Sequence, residues 1–298
     1  MNLNKAQIWL TFSLVILNAS VIAQSSVVAK GSAPVLVSSE FLFTEGPAVD
    51  AEGNVYFTDQ PNDKIMKWST DGSLSVFMEG TGRSNGLFID KNGNLIACAD
   101  LNNQLWMIDK NKNVTVLVKD FEGKKLNGPN DLWIDPQGGI YFTDPFYKRD
   151  YWNRTEKEIE EENVYYLSPD RKKLTIAASG LMQPNGIIGT PDGKKLYIAD
   201  IKGRKTYSFV IQKDGTLTDK KLFADMGSDG MTVDSKGNVY LTGKGVTVFN
   251  SKGEKIETIA IEAPWTANAC FGGKDRKTLF VTASKSVFTV KMKVKGAY

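Results

Sequence analysis

Short apolar runs alternate with Gly/Asn turns along nearly the whole chain. AVD-AEGN-VYFTD (48–59), LFID-KNGN-LIACAD (87–100) and MTVD-SKGN-VYLTG (231–243) each read as strand, tight turn, strand. Val, Ile, Tyr, Phe and Thr suit a pleated, half-buried surface, and Gly-Asn pairs close hairpins. Further strands follow as KIMKWS and LSVFME, QLWMID and VTVLVK, KTYSFVI and LTDKKLFA, and GVTVFN and KIETIAI. Helix-period segments are almost absent, so each unit is predicted to hold four short antiparallel strands.

The units recur in register. With Glu45 as position zero, Asp50, Gly53 and Tyr56 follow at +5, +8 and +11. Asp229 leads Asp234, Gly237 and Tyr240 at the same offsets, and Asn130 leads Asp135, Gly138 and Tyr141. Asn85 leads Asp90, Gly93 and Ile96. Asn185 and Asn268 start two further copies, matched to each other by Asp192 with Asp275 and by Leu196 with Leu279. Six repeats at steps of 40, 45, 55, 44 and 39 residues predict an all-β, six-bladed β-propeller of four-stranded antiparallel blades. The last copy is one strand short. Pro34–Phe43, PVLVSSEFLF, is predicted to supply it and close the ring, which removes open sheet edges. The 55-residue step arises from 146–163, FYKRDYWNRTEKEIEEEN, inserted in the third repeat after its second strand. This segment reads either as a solvated loop or short helix, or as a lid at the channel mouth. In the second case Phe146, Tyr147, Tyr151 or Trp152 touches substrate.

Met1–Ala23 reads as a signal peptide, with Lys5 as the positive region, Ile8–Ile16 as the apolar run and Val21-Ile22-Ala23 before the cleavage point. Export, periplasmic or secreted, is therefore expected, with 24–298 as a single propeller domain. The apolar run is too short and interrupted for a span of roughly 20 residues, so no stable membrane insertion is expected. Net charge is +3 with scattered lysines and no basic face, which argues against nucleic acid as a partner. Cys98 and Cys270 fall in non-adjacent repeats and are predicted as small buried thiols. Histidine is absent. That excludes a His-based triad, a His-ligated zinc site and a His base. Gly82-Arg83-Ser84-Asn85-Gly86 matches G-x-S-x-G, but no histidine exists to activate Ser84.

All six zero positions, Glu45, Asn85, Asn130, Asn185, Asp229 and Asn268, carry a side-chain oxygen. If each starts the innermost strand of its blade, the six converge at one channel mouth. Convergent carboxylates repel unless a cation lies between them. Oxygen-only donors select a hard ion, and Ca²⁺ takes about 6–8 oxygens in flexible geometry. Glu45 and Asp229 match its charge; Mg²⁺, Mn²⁺ or Zn²⁺ are the other divalent ions considered. The competing reading is turn chemistry, because Asn and Asp before Gly are ordinary turn residues. It explains one or two such positions better than six in register.

EGP at Glu45, PND at Asn130, PNG at Asn185 and SDG at Asp229 resemble the senescence-marker-protein/gluconolactonase family of six-bladed propellers. The closing WTANACFGGKDRKTLFVTA (265–283) resembles its final blade, and the likeness covers nearly all of 24–298. It implies one divalent metal, often calcium, held by Glu45, Asn130, Asn185 and Asp229. It also implies hydrolysis of a small-molecule lactone, with the metal polarising the carbonyl for attack by water. Asp229 is the first choice of general base and Asp131 the second. Asp131 alternatively only orients Asn130. Asn85, Asn127 and Asn268 are expected to hydrogen-bond substrate, and Tyr147 and Trp152 to contact it from the insertion. Some animal members carry Arg where this chain has Gly128; Asn127 is the partial substitute. Two other readings stand beside this one: a metal-dependent phosphotriesterase, and a non-catalytic propeller that binds sugar or protein with structural calcium.

Overall fold

The computed structural model describes residues 26–298. The expected signal peptide, Met1–Ala23, lies outside the described residues. Six sheets of four antiparallel strands make up the chain, each sheet ordered as its strands follow in sequence except the last. The first blade runs Thr44–Val49, Val55–Asp59, Lys64–Trp68 and Leu74–Glu79; the second opens at Ser84–Ile89. The third opens at Leu132–Ile134, the fourth at Pro184–Gly189 and the fifth at Met231–Val233. The sixth holds Asn268–Gly272, Thr278–Ala283 and Ser286–Lys291. Its fourth strand is Val35–Ser38, paired Val35 to Thr289 and Leu36 to Phe288. The ring closes with a strand from the chain's beginning, as its missing strand required. Among the described residues the only helical elements are the 3₁₀ turns Gln60–Asn62 and Asp100–Asn102.

The recurrent hairpin word has a local cause. Asp50 accepts from the backbone NH and the carboxamide of Asn54, both at 2.8 Å. Asp90 with Asn94, Asp109 with Asn113 and Asp234 with Asn238 repeat both bonds at 2.7–3.0 Å. The aspartate thus ties its own turn together. In three of these turns the residue before Asn is a glycine in left-handed backbone, φ 95° at Gly53 and 79° at Gly237, and in the fourth Lys112 takes φ 68° at the strain a side chain brings there.

Aromatic side chains fill the wedges between blades. Phe57 and Phe280 meet at 5.3 Å between the first and sixth blades, and Tyr240 and Phe271 at 5.2 Å between the fifth and sixth. Burial of such rings contributes about 2–3 kcal/mol each. Cys98 and Cys270 are free, buried thiols. Tyr298 ties the third and fourth blades: its hydroxyl accepts from the Trp133 indole at 2.8 Å and donates to the Gly189 carbonyl at 2.7 Å.

The insertion lies between Ile140–Thr143 and Val164–Leu167. It forms no helix, and it buries Trp152 and Ile159 against the blades. It is packed along much of its length rather than solvated throughout.

Candidate active site

The first strands place the zero residues. Glu45, Asn85, Asn185 and Asn268 lie at or next to the start of their strands, and Asn130 and Asp229 sit two residues ahead of theirs. All six are buried. Strand pairing slips at Glu45/Ala48, Ser84/Leu87 and Pro184/Ile187. Such irregularities re-aim a side chain at the end of a strand.

The glycines after the zero residues reveal what the pattern is for. A Cβ on Gly46 would lie 2.2 Å from the Asn85 carbonyl, and one on Gly86 would lie 2.5 Å from the Asn130 carbonyl. One on Gly186 would lie 2.4 Å from the Asp229 carbonyl, and one on Gly230 would strike the Asn268 carboxamide. Of these glycines only Gly46 has positive φ. Glycine is required at these four positions because the first strand of the blade presses on that of the next, which turn chemistry does not explain; the third and sixth blades carry Asp131 and Ala269 there. The same contacts draw the zero residues into a ring.

Inside that ring the side chains meet. The Asn268 amide nitrogen faces Glu45 Oε2 at 3.4 Å and Asp131 Oδ2 at 3.5 Å, while its oxygen accepts from the Ala269 NH at 2.8 Å. Glu45 Oε2 also accepts from the Gly46 NH at 2.8 Å. Asp229 Oδ2 accepts from the Trp265 indole at 2.5 Å. Asn185 donates to the Tyr147 hydroxyl at 2.8 Å, which brings the insertion onto the ring. The Asn85 side-chain oxygen is buried with no partner.

Burial, and then the Asp229 charge, push the Glu45 carboxyl well above its usual range. Burial raises Asp131 to about 7 against the backbone NH groups of Leu132 and Ile187. Burial raises Asp229 too, with the Trp265 indole and the Asn185 carboxamide opposing. Three carboxyls are thus held where their charge is poorly solvated. A divalent cation fits this donor set. It would find buried carboxylates short of compensation, and the unpartnered Asn85 carboxamide oxygen beside them is left for a substrate hydroxyl. No group of three or more His, Cys, Asp or Glu poised as metal ligands occurs among the described residues. Four of the six zero positions are instead carboxamides, with Asp131 beside them, a mixture that suits a hard ion.

Asn127 and Trp152 belong to the seat of the insertion. Asp144 accepts from the backbone NH groups of Asn127 at 2.8 Å and Gly128 at 2.7 Å. The Asn127 amide donates to the Glu161 carbonyl at 3.0 Å, and the Trp152 indole donates to the Asp100 carbonyl at 2.9 Å. A Cβ on Gly128 would lie 3.0 Å from both Asp100 Oδ1 and the Trp152 ring, so no larger side chain enters there. Trp265 and Asp100 were not legible as site residues. Trp265 lies in an irregular connection outside the repeat register, and although it opens the WTANACF stretch nothing there marks it as a partner of Asp229. At the opposite end of the first strands, a cavity of about 610 Å³ reaches Asp131 and Asn268 and is walled by Leu87, Ile187, Met231 and Tyr298.

Comparison with known proteins adds a second line. Residues 43–285 match the family model described as the SMP-30/gluconolactonase/LRE-like region. A gluconolactonase of Zymomonas mobilis is 30% identical over 294 residues, covering 88% of this chain and 82% of that protein. A lactonase, drp35, of Staphylococcus haemolyticus is 26% identical over 245 residues, covering 75% of this chain and 71% of its own length. A gluconolactonase structure from Xanthomonas campestris superposes with a TM-score of 0.83 at 27% identity, covering 89% of this chain and 91% of that one.

Proposed function

This chain belongs to the SMP-30/gluconolactonase/LRE-like family, and on that premise we propose that it is a divalent-metal-dependent hydrolase of lactones. Relatives named gluconolactonase and lactonase support the reaction class. The observation that carries the metal is the buried ring in which Asn268 bridges Glu45 and Asp131 while the Asp229 charge bears on Glu45. Glu45, Asn130, Asn185 and Asp229 would hold the ion, calcium first among the candidates. When bound, it supplies a Lewis acid for the lactone carbonyl.

The chain's own residues do the rest. Asp229 takes the proton of the attacking water through its oxygen not held by Trp265, and Trp265 fixes the plane of the carboxylate. Asp131, held by the Leu132 NH at 2.9 Å, is the second candidate base. Asn268 and Asn85 bind the substrate's oxygens. Tyr147, already on Asn185, contacts the substrate from the insertion.

The direct test is hydrolysis of aldonolactones and aliphatic lactones by wild type and Asp229→Asn, with a phosphotriester as the contrasting substrate. Lactone turnover that falls at least about 10²-fold in the variant supports the reading. Turnover of the phosphotriester alone would replace it. Export is part of the same proposal, and mature protein beginning at Gln24 is its expected signature.

A further inference from the structure

The aspartate that closes the second strand has one job in three blades and another in the fourth case. Asp59 accepts from the backbone NH groups of Leu42 and Phe43 at 3.0 and 3.2 Å. Asp144 does the same for Asn127 and Gly128, and Asp200 for Met182 and Gln183 at 2.9 and 3.0 Å. Each thereby pins the loop that enters its own blade. In the second blade Asp63 has taken over that task, accepting from the Thr81 NH at 2.9 Å and the Arg83 NH at 2.6 Å.

Asp100 is therefore free, and side chains claim it. Arg149 Nε donates at 2.9 Å, Gln60 at 3.2 Å, and the Tyr151 hydroxyl bonds the same oxygen. Arg83 stacks on the Tyr151 ring at 4.4 Å, so this group carries two cations against one carboxylate. Arg149 in turn lies 5.3 Å from the centroid of Tyr147, whose hydroxyl bonds Asn185 of the ring.

Among the described residues, Nε makes the only hydrogen bond of the Arg149 guanidinium. Its outer edge, with both terminal amino groups, remains for a ligand, and the side chain is 23% exposed. Fixing Nε on a buried aspartate sets the plane of the fork in advance. A guanidinium edge so held suits a carboxylate, which it takes in two parallel hydrogen bonds.

We propose that Arg149 is a substrate-binding residue held by Asp100 at the channel mouth, and that the preferred substrates are lactones bearing a carboxylate. This rests on the lactonase reading above. The lactone carbonyl lies at the ring, and the carboxylate lies beyond Tyr147 on Arg149. Asp100 acts as a positioning residue.

Two measurements test this. The first compares kcat/KM for D-glucaro-1,4-lactone, which carries a carboxylate, with that for neutral D-glucono-1,5-lactone. Wild type is expected to favour the former at least tenfold. Arg149→Met is expected to lower that ratio at least tenfold, Arg149→Lys to lower it less, and Asp100→Asn to lower it with the change in KM. A wild type without preference, or a ratio unmoved in Arg149→Met, overturns the proposal. A stronger preference for a phosphorylated sugar lactone overturns the carboxylate assignment.

The second is calorimetric binding of glucarate and gluconate to the calcium-loaded protein, which needs no turnover. Tighter glucarate binding, lost in Arg149→Met, supports the site even if no lactone is hydrolysed. A glucarate affinity unmoved in Arg149→Met sinks it even if lactones are.

Discussion

Asp229 meets two demands at once. It belongs to the buried ring, held by the Trp265 indole, and in the proposed reaction it is also the base that takes a proton from water. Asp229→Asn keeps the shape and the Trp265 partner but removes the charge. Lactone hydrolysis should fall about 10²–10⁴-fold while far-ultraviolet circular dichroism is unchanged. A variant that keeps near wild-type turnover would pass the role of base to Asp131. Gly230→Ala probes the ring by steric means, because the added Cβ would strike the Asn268 carboxamide. Displacing Asn268 uncouples it from Glu45 and Asp131. Calcium affinity, measured by calorimetry, should drop about tenfold or more, with a stability loss of about 1–3 kcal/mol. At this scale the zero residues were legible because six oxygen-bearing side chains share one offset. Trp265 was not, because its partner is set by the path of a connection between blades. Asp100 was hidden for another reason. It has the same residue type and place as Asp59, Asp144 and Asp200, and only the capture of its usual donors by Asp63 changes its role.

Among elements, the hairpins were the plainest feature of the sequence. Their turn word is self-contained, since the aspartate bonds the asparagine of the same turn. The closing strand was equally legible, since a sixth blade short of a strand had one unassigned β-prone run to use. The insertion was legible as an interruption and not as a shape. It has no period, and its course follows from scattered anchors such as Asp144, Asp100 and the carbonyls that receive Arg154. Asp144 is the anchor to remove. Asp144→Ala leaves the buried NH groups of Asn127 and Gly128 without an acceptor, a cost of about 2–3 kcal/mol. Urea unfolding should show that loss. Trypsin should also cut the variant faster after Lys148 or Arg149. Unchanged cleavage would mean that the insertion is held by its aromatic packing instead.

For the whole molecule, the buried ring links stability to pH and, on the proposed reading, to metal. Glu45, Asp131 and Asp229 all have carboxyl pKa values raised in the folded state. The folded chain then holds more protons than the unfolded one between about pH 4 and about pH 7. Without a cation, stability should fall as pH rises through that window. A bound cation compensates the same charges, so its benefit should grow with pH. The thermal midpoint should therefore rise more on adding calcium at about pH 7.5 than at about pH 5, by roughly 5 °C or more. An equal rise at both would place the ion away from these carboxyls.

The central claim is that the ring holds a metal and that the metal is needed for lactone hydrolysis. The measurement that tests it most directly is the rate on one aldonolactone after a chelator has stripped the protein, and again after Ca²⁺, Mg²⁺, Mn²⁺ or Zn²⁺ is restored, with metal content determined at each step. Activity should vanish with the metal and return with it, most fully with calcium. Full activity in protein shown to be free of metal would contradict the claim.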